Sequence, residues 1–410
     1  MDFSQDSFSK AITAFGLDLY NEMIRSDTPQ NIFCSPLSIS CALSMVYLGA
    51  QGNTKIQMGQ VLHFDKAQEG TRTVSSERRL PAVTSGHQRK HDPHCPVDGG
   101  INLQFKNLLS QLNSLGDGYQ LSLANNLFAQ AGYEFFPQYC TDAREIYGAT
   151  LQTVDFYNSL EDARQAINAM IDKQTQGKIK ELFAPGVIER DAVLVLANAT
   201  YFKATWKRQF DPKLTTEREF MLSENERASV PMMHQKGKFK LGCTAGVNAQ
   251  ILCLPYCSDV LSMMILLPNT IGGLKQVEQA MSHENVTRWT ASENMEELDV
   301  EMYIPRFKLE KEFDLNLALQ RLGMIDVFSE TAANLSGMSP STQLCLSKVV
   351  HKAYVEVNEV GTEAAAATGA VVSNRSLVHY EQFVADHPFL FWIQHNPTNT
   401  TLFLGKFCSP

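Results

Sequence analysis

The sequence predicts an α+β fold, and three observations carry that prediction. Apolar residues recur at helical spacing over 8–25 and again over 159–183. Residues 192–203 form a nearly continuous apolar run, and residues 349–357 alternate in the manner of a strand. The last stretch, FVADHPFLFWIQHNPTNTTLFLGKFCSP, reads as two strands around the turn Asn396-Pro397-Thr398-Asn399. With 410 residues, 44% of them hydrophobic, the chain is long enough for one large core or two modest ones.

Charge and composition exclude several classes. The net charge is −9 and no large basic block is present, which argues against nucleic acid as the main partner. MDFSQDSFSK has no basic segment followed by an apolar one, so it does not read as a secretory leader. The stretch nearest to a membrane span is 32–50, but Ser35, Pro36, Ser38, Ser40 and Ser44 interrupt it. A helix packed in a core fits it better, so no membrane partner is expected.

In chain order, Phe8, Ile12, Phe15, Leu19 and Met23 set the first helix. Pro36 suits the first turn of a second. Residues 65–100 have no sustained period and many Gly, Pro, Ser and charged residues, and read as a flexible loop. Solvated charge is the favoured reading for Arg78-Arg79 and Arg89-Lys90 there. His87, His91, His94 and Cys95 lack a second ligand cluster nearby, so no metal site is expected. Residues 101–114 look helical and 119–130 look like a strand. The helix expected over 159–183 is capped by Ser159 with acids following. The run 192–203 suggests a central strand covered on both faces. ILCLPY and LSMMILLPN supply further strands within 215–310.

Nine cysteines at irregular spacing give no disulfide framework. Most are expected to be buried small hydrophobes in a reducing compartment. Five N-x-S/T sequons begin at Asn198, Asn285, Asn334, Asn374 and Asn399, and matter only in the secretory pathway. There is no G-x-S-x-G elbow, H-E-x-x-H helix or P-loop, so nothing here reads as a hydrolase or nucleotide enzyme.

The segment GTEAAAATGAVVSNRSL (361–377) follows the 349–357 strand. Its composition alone fits a linker or a short Ala-rich helix. Read as a strand, it puts Thr362, Ala364, Ala366, Thr368, Ala370 and Val372 on one small, uncharged face. The only charge before Arg375, that of Glu363, lies on the other face. The segment is therefore able to enter a packed sheet.

VEVNEVGTEAAAATGAVV resembles the hinge of the reactive-centre loop in an inhibitory serpin. In that family a glycine lies fourteen residues before the cleaved position. Counting from Gly361 places the scissile bond at Arg375–Ser376. The resemblance implies a loop over 359–380 with its hinge at Gly361, Thr362, Glu363, Ala364, Ala365, Ala366, Ala367 and Thr368. NIFCSPLSISCALSMVYLGAQGNT resembles the family motif in which the positions of Ser35 and Ser38 form a "shutter" beneath the main sheet. NATYFKATW resembles the strand flanking the insertion gap. That implies pairing of Asn198 with His351 in the shutter and places Trp206 at the top, the "breach".

Residues 159–183 resemble the helix lying across the main sheet, with Met170 where many relatives carry tryptophan. PRFKLEKEFDLNLALQRLGMIDVF and the C-terminal hairpin also resemble family segments, and 65–100 matches the extended inter-helix loop of ovalbumin-type (clade B) serpins. GAVVSNRSL resembles the loop of a clade B member that also presents Arg-Ser. Together these motifs cover essentially the whole chain, implying a single serpin domain, 1–410, of about nine helices around three β-sheets with an exposed reactive-centre loop.

The implied function is inhibition rather than enzymatic catalysis. Arg375 would fill the acidic specificity pocket of a trypsin-like serine protease, and the cleaved loop would insert and trap the acyl-enzyme. The implied protein is a cytoplasmic monomer, with nuclear residence or release by an unconventional route as alternatives, with no cofactor and a covalently bound protease as partner. The alternatives are a non-inhibitory serpin with a binding, chaperone-like or storage role, and an inhibitor of a cysteine protease.

Overall fold

The computed structural model describes residues 3–26, 30–65, 100–114, 118–341, 343–362 and 379–410. Among them are nine α-helices: α1 Phe3–Met23, α2 Pro36–Gly49, α3 Gly52–Val61, α4 Ile101–Ser114, α5 Pro137–Tyr147, α6 Leu160–Gln174, α7 Leu274–Ala280, α8 His283–Thr290 and α9 Asn316–Leu322. The helical spacing of α1 reports burial: Phe8, Ile12, Phe15 and Leu19 are all in the core. Helix α2 begins as Pro36 requires. The Ser35 hydroxyl accepts the Ser38 N–H at 3.1 Å, satisfying one of the first-turn donors that a helix leaves unpaired.

Fifteen strands among the described residues complete the frame. The first eight are β1 Ile32–Cys34, β2 Tyr119–Gln130, β3 Thr150–Val154, β4 Leu194–Thr205, β5 Thr216–Met221, β6 Arg227–Cys243, β7 Ala249–Pro255 and β8 Leu261–Pro268. The others are β9 Glu296–Pro305, β10 Phe307–Asp314, β11 Leu346–Val357, β12 Gly361–Thr362, β13 Glu381–Val384, β14 Phe389–His395 and β15 Thr400–Phe407. They hydrogen-bond as two sheets where the resemblance implied three. One has six strands in the order β10-β11-β12-β4-β2-β3, with β11 also paired to β4. The other has nine, β1-β15-β14-β8-β7-β6-β9-β13, with β5 on β6. The junction is β6, 17 residues long, which pairs with β9 over Met232–Leu241 and with β7 over Lys240–Cys243. It thereby fuses two sheets into one hydrogen-bonded path.

The six-stranded sheet is buried on both faces, as the apolar run of β4 predicts. Leu194 and Leu196 face the main core, while Val195, Ala197, Ala199 and Tyr201 face a second cluster beneath α6. That second cluster includes Ile167 and Ile171 of α6, and Ile179, Leu182 and Phe183 beyond it. Met170 packs against it.

Helix α6 is shorter than the sequence reading. It stops at Gln174, and Gln176 and Gly177 turn the chain with φ of 55° and 80°. The Asn168 side-chain oxygen then accepts the N–H groups of Leu182 and Phe183, and its amide donates to the Phe183 carbonyl. Residues 175–183 thus run back along the helix as a strap. Ser159 occupies the N-cap position, but its side chain makes no capping bond.

Candidate functional site

The centre of the six-stranded sheet is a seam. β4 and β11 run parallel there, paired from Leu194 and Leu346 up to Tyr201 and Tyr354. Above that point they part, and β12 lies between them. It is antiparallel to both: Thr362 opposes Val357 on one side and Ala204 on the other, and Gly361 opposes Thr205. β11 turns into β12 through Asn358–Gly361, where the Asn358 N–H donates to the Gly361 carbonyl at 2.8 Å.

The loop range 359–380 is therefore corrected at its start. Gly361 and Thr362 are buried in the sheet as β12, and Glu359 is buried in the turn before them, none of the three exposed. Gly361 is required by space, since a Cβ there would collide with the Ala204 carbonyl oxygen. Thr362 is fully buried, and its hydroxyl lies 3.0 Å from the Tyr256 hydroxyl. Tyr256 stacks on Trp206 at 4.5 Å between ring centroids. The Trp206 indole N–H donates to the Asn358 carbonyl at 2.9 Å, and its backbone N–H donates to Val360 at the same distance. The Glu359 carboxylate accepts from the Thr215 hydroxyl at 2.7 Å and lies 3.7 Å from the Arg306 guanidinium.

Lower in the seam, Asn125 of β2, Asn198 of β4 and His351 of β11 stand in one cross-strand row. The Ser35 N–H donates to His351 Nε2 at 3.1 Å. That bond assigns the ring proton to Nδ1, which donates to the Asn198 side-chain oxygen. The Asn198 amide donates to the Ser38 hydroxyl at 2.7 Å and to the Asn125 side-chain oxygen. The Ser35 hydroxyl donates to the Leu402 carbonyl at 2.6 Å. Every member is buried. Burial alone lowers the His351 pKa to about 3, so the ring is neutral.

The structure thus brings Ser35, Ser38, Asn198 and His351 into one network and sets Trp206 at the top of the seam. Glu363, Ala364, Ala365, Ala366, Ala367, Thr368, Arg375 and Ser376 lie outside the described residues, as do His87, His91, His94 and Cys95. Among the described residues no cluster of three or more metal-ligating side chains occurs, and no helix is long and apolar enough to cross a membrane. All eight described cysteines are free. Only Cys34, Cys41, Cys345 and Cys408 are buried; Cys243 and Cys257, on sheet margins, are exposed, which corrects the reading of most as core residues.

Sequence reasoning missed Asn125 and Tyr256. Asn125-Asn126 was visible as a polar pair inside the apolar strand β2. Nothing local marks Tyr256, whose role comes from contacts with Trp206 and Thr362.

A sheet whose central seam already admits the first residues of the following segment belongs to a class built around strand addition. The serpin (serine protease inhibitor) family matches residues 10–410. The chain is 44% identical to human Serpin B12 over 409 residues, covering 99% of this chain and 100% of that protein. It is 42% identical to the leukocyte elastase inhibitor of Sus scrofa with the same coverage. The structure of uncleaved ovalbumin matches with a TM-score of 0.84 at 34% identity, over 98% of this chain and 100% of that one. The chain belongs to the serpin family, and these relatives place it among the clade B, ovalbumin-type members.

Proposed function

We propose that this serpin is a suicide-substrate inhibitor of trypsin-like serine proteases, cleaved at Arg375–Ser376. The observation that carries the reading is the seating of Gly361 and Thr362 antiparallel between two parallel strands. Extending both registers gives one consistent insertion. Ala365 would oppose Tyr201 and Tyr354 together, and Thr368 would oppose Asn198 and His351 together. Small residues meet the closed seam, and a hydroxyl arrives where the His351–Asn198 bond must part. Alternation puts Thr362, Ala364, Ala366 and Thr368 on the main-core face, and Glu363 on the other.

The energetics favour the move. A parallel pairing, slightly weaker per residue, is exchanged for two antiparallel ones. About a dozen new backbone bonds at about 0.5–1.5 kcal/mol each supply on the order of 10 kcal/mol. The uncleaved form is then held by kinetics rather than equilibrium. The protease serine attacks the Arg375 carbonyl, Ser376 leaves as the new amino terminus, and segment 362–374 enters the sheet before the acyl-enzyme hydrolyses. Residues Ser35, Ser38, Asn198 and His351 hold the seam closed until then, and Trp206 holds the entry. Free cysteines throughout the described residues support a reducing, cytosolic compartment.

The name of the Sus scrofa relative favours an elastase target. The position of Arg375, fourteen residues after Gly361, favours a trypsin-like one. Incubation with trypsin and with elastase, followed by a denaturing gel, separates them. With trypsin, a boiling-resistant band at the summed mass is expected, and Arg375→Ala should abolish it. Undiminished trypsin trapping by that variant means the register is wrong. Ala366→Arg, on the same small face but beyond the residues already seated, would bury a cation without a partner only on insertion, at about 3–5 kcal/mol, slowing insertion by roughly a hundredfold or more. It should be cleaved without forming the band. Trapping equal to wild type would refute insertion.

A further inference from the structure

Where the seam closes, the structure holds a feature that the insertion mechanism does not use. Tyr201 of β4 and Tyr354 of β11 form the last pair of the parallel register, just below Thr362. Their rings meet edge to face across the seam at 5.8 Å between centroids. The Lys178 ammonium, on the strap that follows α6, lies 5.7 Å from both ring centroids. It is the cation on both rings. Lys308 of β10 lies 4.9 Å from Tyr354, on one side of the seam only. The strap is fixed independently of this contact. Asn168 holds its far end, the Lys352 ammonium of β11 donates to the Glu181 carbonyl at 2.7 Å, and the Ile179 N–H donates to the Thr175 hydroxyl at 3.1 Å.

We propose that Lys178, by sitting over the Tyr201–Tyr354 pair, is a lock that sets the rate at which the seam opens to an incoming strand. The inference rests on the insertion reading above. A strand entering in register must separate these two rings at the third residue after Thr362, and a cation on both faces is then stripped from at least one. Burial holds the Tyr201 phenol up at about 12 and pushes that of Tyr354 higher still, so both rings stay neutral and keep the electron-rich face that attracts a cation. The Tyr354 hydroxyl donates to Glu356 at 3.1 Å, which fixes that ring's orientation. Cation–π contacts of this partly desolvated kind correspond to roughly two- to tenfold in an opening rate.

The test uses the uncleaved protein and no protease. A synthetic peptide of residues 362–375 is incubated with wild type, Lys178→Met, Lys178→Arg and Lys308→Met, and its uptake is timed on native gels. Hydrogen exchange at the Tyr354 amide is measured without peptide. Lys178→Met keeps the apolar stem and should take up peptide roughly two- to tenfold faster, with faster exchange at Tyr354. Lys178→Arg should match wild type, and Lys308→Met should stay within about twofold of it. Wild-type kinetics in Lys178→Met would overturn the lock, as would equal acceleration by Lys308→Met. Wild-type protein that takes up no peptide under any native condition removes the insertion reading itself, and the lock with it.

Discussion

Acid should loosen this protein through His351. Both ring nitrogens are engaged, Nε2 accepting from the Ser35 N–H and Nδ1 donating to Asn198, and the ring is fully buried. Adding a proton would set a second N–H against the Ser35 N–H, donor to donor. The folded pKa is held near 3, below the ordinary 6.5. The unfolded chain therefore takes up a proton as pH falls through about 6.5, while the folded chain does not until about pH 3. Stability is present in full above that window and is lost through it. At about pH 5 the difference in binding is about 1.5 pH units, or about 2 kcal/mol at 1.36 kcal/mol per unit. His395, lowered to about 4 by burial, acts in the same direction, so a variant is needed to isolate His351. Glutamine at 351 can donate to Asn198 and accept from Ser35 without titrating. Urea midpoints of wild type and His351→Gln, compared between neutral pH and about pH 5, should show the variant losing about 2 kcal/mol less. Parallel losses in the two proteins would refute the assignment. Because His351 and Asn198 sit on opposite sides of the seam, the same acid shift should also speed uptake of the 362–375 peptide.

Two further substitutions probe the frame around the site. Gly361→Val forces a side chain into the Ala204 carbonyl, so β12 should leave the sheet, at about 1–3 kcal/mol; a lowered melting temperature with loss of exchange protection at Thr362 checks it. Lys406→Met strands the largely enclosed Glu278 carboxylate, which now takes the Lys406 ammonium at 3.1 Å and the Tyr20 hydroxyl at 2.6 Å. A loss of about 3–5 kcal/mol by urea unfolding is expected, with most of it restored when Glu278→Gln is added.

How far the sequence carried the fold depends on what each pattern reports. Helix α4 and strand β2 match their expected ranges, 101–114 and 119–130, because Gly100 and Gly118 punctuate segments of clear period. Helix α6 was read too long because Ile179, Leu182 and Phe183 keep an apolar rhythm after the helix ends. That rhythm reports burial against the sheet, and a strap held by Asn168 buries side chains as well as a helix does. The grouping of Ser35, Ser38, Asn198 and His351 came from the family resemblance; as polar residues inside apolar runs they read only as core groups that need partners, which the network supplies. The hinge was only half legible. The small, uncharged face of Thr362, Ala364 and Ala366 says that the segment can enter a sheet, but alanine and glycine fit equally in a linker. That entry has begun is a property of Ala204, Val357 and Tyr256, which come from three distant stretches. The same holds for Lys178, whose local sequence, TQGKIK, reads as a solvated turn. Its proposed role follows from lying over two rings more than twenty and more than a hundred and seventy residues away. On the insertion reading, the permissive residues are recognised along the chain, whereas the residue proposed to time insertion is defined by contacts across the seam.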